Sequence, residues 1–119
     1  MNMYIDGTVI AVPTAKKDAY REHAQQAAAV FRKHGATGLV ECWGDDVPKG
    51  KLTDFHRAVL ATDNETIVFS WITWPDRETR NAAMPKVMAE MDGEGGMMGE
   101  MPFDGKRMIY GGFEAILEA

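Results

Sequence analysis

The stretch Glu65 to Trp74, Glu-Thr-Ile-Val-Phe-Ser-Trp-Ile-Thr-Trp, constrains the fold more than any other part of the chain. β-Branched and aromatic side chains suit the pleated backbone, and in a strand successive side chains point to opposite faces. After the leading Glu65, both faces are apolar, interrupted only by Thr66, Ser70 and Thr73. Such a strand needs cover on both sides, so helices packed on one face leave the task half done.

The remaining elements follow from periodicity and punctuation. Residues 3–12 read as a strand in which Ile5, Val9 and Ala11 alternate with Tyr4, Asp6 and Thr8. Pro13 closes it, and Thr14 is placed to cap a helix over 15–34 whose stripe is Tyr20, Ala24, Ala27, Ala28 and Phe31. His34-Gly35 supplies the stop, since glycine accepts left-handed backbone and a basic residue suits the carboxyl end of the helix dipole. Residues 39–43 form a strand with Leu39, Glu41 and Trp43 on one side and Val40 and Cys42 on the other, and the loop from Gly44 to Lys51 follows. The stretch 54–61 fits a short strand and a helical turn equally.

Pro75-Asp76 opens a second helix with the expected buried stripe Ala83, Met84, Val87, Met88 and Met91, and Pro85 predicts a kink or restart near Met84. Residues 92–105 are a glycine- and methionine-rich loop, read as a flexible lid. Residues 107–118 close the chain as a strand, with Ile109, Gly111, Phe113, Ala115 and Leu117 on one face.

Strand, helix, strand, strand, helix, strand is the order of an α+β ferredoxin-like βαββαβ sandwich: a four-stranded antiparallel sheet with two helices on one face. At 119 residues and 45% apolar composition, one domain over 1–119 is expected. The opposite face is assigned Tyr4, Ile10, Leu39, Trp43, Tyr110 and Ile116, too apolar to meet water. The expectation is a homodimer with sheets packed face to face, Asp6, Glu41 and Glu114 needing partners or water in the interface.

A net charge of −5 argues against nucleic acid as a partner. No apolar run approaches the roughly 20 residues a membrane helix needs. The lone Cys42 cannot form an internal disulfide, and Asp6-Gly7 stand where a secretory leader would be apolar, so a cytoplasmic location is expected.

Four runs carry a family resemblance: Tyr4-Ile5-Asp6-Gly7, the stretch from Glu41-Cys42-Trp43-Gly44 through Asp45-Asp46-Val47-Pro48, Thr66-Ile67-Val68-Phe69-Ser70-Trp71, and the stretch from Met101-Pro102-Phe103 to Gly112-Phe113. They resemble the YbaA-like family, domain of unknown function 1428. The resemblance implies the dimeric α/β-barrel superfamily, in which two ferredoxin-like subunits join their sheets. It transfers no catalytic residue. Relatives in that superfamily include cofactor-free oxygenases and haem-degrading proteins.

Candidate site residues are weighed against plainer roles. Glu41, Asp45 and Asp46 beside Trp43 can hold a hard cation or serve as acid and base, whereas aspartates in such a loop commonly make turns to the backbone. No calcium-loop spacing follows, and no metal or cofactor is expected. Of His23, His34 and His56, none belongs to a metal-ligand motif. His56 with Asp45 or Asp46 is the candidate acid–base pair. Trp43 and Trp71 would shape the cavity; Met84 and Met88 line it or simply fill the core; Arg80 meets an anionic ligand or a neighbouring carboxylate. Cys42 is expected as an inert thiol facing the core.

The functional expectation is a small homodimer with a pocket between sheet and helices for a small apolar or aromatic ligand. The alternatives are a cofactor-independent monooxygenase-like enzyme and a non-catalytic sensor or interaction module.

Overall fold

β3 (Glu65–Trp74) pairs along its whole length with β1 (Tyr4–Pro13), antiparallel, Tyr4 opposite Trp74 and Pro13 opposite Glu65. This is a computed structural model, and it describes residues 3–92 and 101–119. β2 (Gly38–Trp43) flanks β3 and β4 (Ile109–Glu114) flanks β1, giving the order β2-β3-β1-β4 with every pairing antiparallel. α1 (Lys17–Lys33) and α3 (Arg77–Asp92) pack together on one face of the sheet. The α+β ferredoxin-like sandwich expected from the element order is the fold observed.

One core cluster joins Ala27, Val30 and Phe31 of α1 with Ala83 and Val87 of α3 over Trp74, with the Phe31 and Trp74 rings 6.1 Å apart, edge to face. A second joins Tyr20 and Ala24 to Ile10, Val12 and Val68. These contacts fix strand parity. Because Val68, Ile72 and Trp74 face the helices, their ladder neighbours Tyr4, Ile10, Leu39 and Trp43 face them too.

The expected assignment of those four residues to the uncovered face is therefore reversed, and Asp6 and Glu41 lie on the helix side with them. The open face carries Ile5, Phe69, Trp71, Val40, Ile109 and Phe113 instead, and Cys42 points there rather than into the core. Tyr110 shares Thr8's side of the ladder but is exposed, and Ile116 lies beyond the end of β4, also exposed.

Part of the outer face is nonetheless covered. The ambiguous stretch contains α2 (Phe55–Ala58), a single turn whose N-cap Asp54 accepts a hydrogen bond from the Arg57 backbone N–H at 2.7 Å. It brings Val59 and Ala61, with Val47, against Val9, Ala11 and Ile67.

Two further expectations change. α3 runs through Pro85 without a break. Proline deprives the Asn81 carbonyl of its helical donor, but both residues lie on the exposed side, where a carbonyl left without its helical partner is open to solvent. Met88 is exposed rather than buried. At about 100° per residue it falls about 140° around the helix from Ala83, off the edge of the stripe that Val87 centres. Thr14, in turn, does not cap: residues Thr14–Lys16 form a 3-10 turn, and the Thr14 hydroxyl bonds Thr66 across the strands at 2.7 Å. The lid expected at 93–104 lies outside the described residues as far as 100.

At the far end of the chain, Arg107 donates to both Glu65 oxygens, to the Leu60 carbonyl and to Asp104, tying the approach to β4 onto the start of β3. This pairing holds the Glu65 carboxyl down at about 2.

Gly35 ends α1 at φ +113°, where a Cβ would lie 2.8 Å from the Thr79 methyl. Gly35→Ala should therefore cost roughly 2 kcal/mol, from left-handed strain plus the clash. The expected readout is a lower urea midpoint with an unchanged slope.

Candidate functional site

The stripe Lys17, Tyr20, Arg21, Ala24, Gln25, Ala28 recurs at spacings of three and four, so these side chains share one face of α1. Opposite them, the alternate β2 residues Leu39, Glu41 and Trp43, with Val68 of β3, complete a cleft of about 310 Å³. Its walls combine the apolar Ala24, Ala28, Leu39, Trp43 and Val68 with the polar groups of Lys17, Tyr20, Arg21, Gln25 and Glu41.

Tyr20, 5% exposed, donates its hydroxyl to Glu41 Oε1 at 2.7 Å. Glu41 sits opposite Ser70 in the β2–β3 ladder, and Ser70 opposite Thr8 in the β3–β1 ladder. The Ser70 hydroxyl, on the same face as Glu41, is hydrogen-bonded to Thr8 Oγ1. A polar row, Tyr20–Glu41–Ser70–Thr8, thus crosses the helix side of the sheet. Burial pushes the Glu41 carboxyl above its usual range, against the pull of the neighbouring Tyr20 and Ser70 hydroxyls, which stabilise its charged form. Tyr20 is pushed up as well, first by burial and then by the neighbouring carboxylate. Glu41 as a residue is exposed along the sheet edge, while its carboxyl titrates as a desolvated group facing the cleft. At the mouth, the Lys17 ammonium stands 5.5 Å from the Trp43 ring centroid, within cation–π range.

Of the candidate residues read from the sequence, the structure brings together Glu41 and Trp43. Trp71 is on the other face of the sheet, in an apolar bowl of about 560 Å³ with Ile5, Val9, Phe69, Ile109 and Phe113. The Phe113 ring lies over the glycine pair Gly7 and Gly111, where a Cβ would come within 3.7 and 3.4 Å of it. Arg80 is engaged by the buried Asp6: its Nε donates to Oδ2 at 3.1 Å and its Nη2 to Oδ1 at 2.8 Å, while Trp74 Nε1 donates to Oδ2 at 2.9 Å. Met84 packs against the core under α3, and Met88 faces outward.

His56 lies on α2, and its Nδ1 is buried with no hydrogen-bond partner among the described residues. Asp45 and Asp46 are exposed in the bend after β2, and no hydrogen bond joins either to His56 among the described residues. His34 Nε2 contacts Glu90 at 3.1 Å beside the end of α1, and His23 packs edge to face on Phe103 with ring centroids 5.6 Å apart. Among the described residues no group of three or more histidine, cysteine or acidic side chains gathers as a metal site, and no helix is long and apolar enough to cross a membrane.

The sequence reading placed Tyr20 in the buried stripe of α1 and did not single out Lys17 or Arg21. The signal that finds them is the α1 stripe read together with the 39/41/43 alternation, once β2 parity is known.

Fold and cleft together define a ferredoxin-like α+β protein with an uncovered apolar sheet face and a polar row beneath its first helix. The chain belongs to the family described as "Protein of unknown function (DUF1428)", which matches residues 3–105. It is 58% identical over 116 residues to the uncharacterized protein YbaA of Escherichia coli K12, covering 97% of both chains, and equally similar to YbaA of Shigella flexneri. Among solved structures, a dimeric ferredoxin-like protein from an uncultured marine organism matches with a TM-score of 0.66 at 7% identity over 100% of both chains. SnoaB, a cofactor-independent oxygenase from Streptomyces nogalater, matches with a TM-score of 0.62 at 13% identity over 99% of this chain and 97% of its own. At these identities the likeness is one of fold.

A carboxyl raised by folding weakens the native state once it ionises. Its contribution is fully favourable below the unfolded pKa and is lost as pH rises through the folded one. Glu41→Gln, which can still accept the Tyr20 hydroxyl, should raise the urea midpoint at pH 7.5, and the gain should vanish near pH 3.5, where wild-type Glu41 is protonated. A variant less stable than wild type at both pH values would contradict this account.

Proposed function

We propose that this chain is a single-domain subunit of a homodimer that binds a small, partly apolar molecule in the cleft between α1 and the sheet. The observation that carries the reading is the Tyr20–Glu41 pair, a hydrogen-bonded acid set in the wall of a partly apolar cleft beside an indole ring. Sites for small molecules combine apolar walls with a few convergent polar groups and perturbed titration in this way.

The dimer is supported by the outer face. Phe69, Phe113, Ile109 and Val40 are each more than 40% exposed on one side of the sheet, a contiguous apolar surface that water covers poorly. A second copy with the same face would cover it, and the marine ferredoxin-like protein of similar fold is dimeric.

A cofactor-independent oxygenase-type enzyme is the second reading. It draws on the fold shared with SnoaB and on the two groups available for acid–base work. One is Glu41 in the cleft; the other is His56, whose buried Nδ1 has no partner among the described residues and which would need Asp45 or Asp46 to swing toward it. Unchanged turnover of every accepted substrate by His56→Ala would remove that pair from the scheme. A sensor would use the same cleft without turnover.

Native mass spectrometry of protein purified from cells tests the main reading directly, with a dimer and a retained small molecule as the expected result. Phe69→Lys together with Phe113→Lys should shift the sedimentation profile to monomer at micromolar concentration. A wild-type chain that sediments as a well-folded monomer when dilute would overturn the dimer.

A further inference from the structure

The charged groups of the cleft are not all paired with one another. Arg21 is answered by Asp18 at 3.4 Å. The Lys17 ammonium makes no ion pair among the described residues and rests over the Trp43 ring. Glu41 receives a hydrogen bond from the neutral Tyr20 hydroxyl, and no cation pairs with its carboxylate among the described residues. A cleft carboxylate that accepts from neutral Tyr20 and has no cation bonded to it can take one from a ligand.

The place for that charge is marked. Glu41 and Trp43 are alternate residues of β2, so the carboxylate and the indole face the same cleft about 7 Å apart along the strand. An ammonium between them would meet the carboxylate at hydrogen-bond distance while staying within about 6 Å of the ring. Lys17 already demonstrates that the Trp43 face accepts an ammonium, and it does so from a flexible, exposed stem that can be displaced. The rest of the cleft is lined by Ala24, Ala28, Leu39 and Val68, small or aliphatic side chains that suit a flat ring, and by Arg21, paired with Asp18, and Gln25. Its volume, about 310 Å³, lies near the lower limit for ligand pockets and fits a single ring with a short arm. The chain's overall charge of −5 favours the approach of a cation.

We propose that the α1–β2 cleft recognises a small aromatic amine. Its ring lies on Ala24, Ala28 and Leu39, and its ammonium sits between Glu41 and Trp43 in the place of the Lys17 ammonium. This rests on the reading of the cleft as a ligand site and names the class of ligand it takes.

Three probes of one shape separate the possibilities: 2-phenylethylamine, the neutral 2-phenylethanol and the anionic 3-phenylpropionate, titrated at pH 7.5 and low salt by protein NMR. The amine should bind at least tenfold more tightly than the carboxylate. Glu41→Gln should erase that preference, and Lys17→Met, an exposed change that removes the internal competitor, should tighten the amine severalfold. Equal or tighter binding of the carboxylate, a preference that survives Glu41→Gln, or a weaker amine in Lys17→Met would each overturn the proposal. Binding of the alcohol with no advantage to the amine would defeat the amine assignment and leave the ligand cleft standing. Binding of none of the three would defeat both.

Discussion

Neither central strand of this sheet has a polar face, and the rest of the structure is organised around that constraint. β3 sends Val68, Ile72 and Trp74 to the helices and Ile67, Phe69 and Trp71 to the other side, and β1 repeats the pattern with Ile10 and Val12 against Val9 and Ala11. α1 and α3 cover one side. The segment carrying α2 covers part of the other side, through Val59, Ala61 and Phe55, whose ring meets Phe69 edge to face at 6.2 Å. Burying the remainder is worth on the order of 25 cal/mol per Å² of apolar surface removed from water, a standing drive toward association.

On the helix side the apolar packing is divided. The row Glu41–Ser70–Thr8 separates the cluster around Trp74 from the cluster around Ile10 and Val68, and Tyr20 reaches down to complete it. Such a row adds little to stability, because each desolvated hydroxyl or carboxyl gives up water for one or two protein partners. Asp6 belongs to a different class. It is also buried on this side, but it is answered by a two-pronged guanidinium and an indole N–H and behaves as a structural tie. Glu41, bonded to the neutral Tyr20 hydroxyl, is the acid left with capacity for an outside partner.

Most of the fold was legible because its signals are local. The long two-faced strand, the α1 stripe and the His34-Gly35 stop each depend on neighbours within a few residues. Parity was not, since alternation separates Tyr4 from Ile5 without saying which of them meets a helix; only the packing of Trp74 and Val68 on α1 and α3 decides it. The same gap hid the cleft. Glu41 and Trp43 were singled out on chemical grounds, but their juxtaposition with Tyr20 and Lys17 depends on β2 facing inward. Pro85 was read as a break because sequence cannot tell a solvent-facing proline from a buried one. Arg80 and Arg107 look like loose surface charges in the sequence, and their carboxylate partners lie 74 and 42 residues away.

Arg107 shows how far such a distant tie can reach. β4 buries little of itself, its residues being almost all exposed, so its ladder to β1 and the guanidinium clasp at its entrance hold it in place. That strand delivers Phe113 onto the glycine floor of the outer bowl. The contour of the broad hydrophobic flank is therefore governed from its border, where one cation gripping the first residue of β3 keeps the outermost ribbon from peeling away.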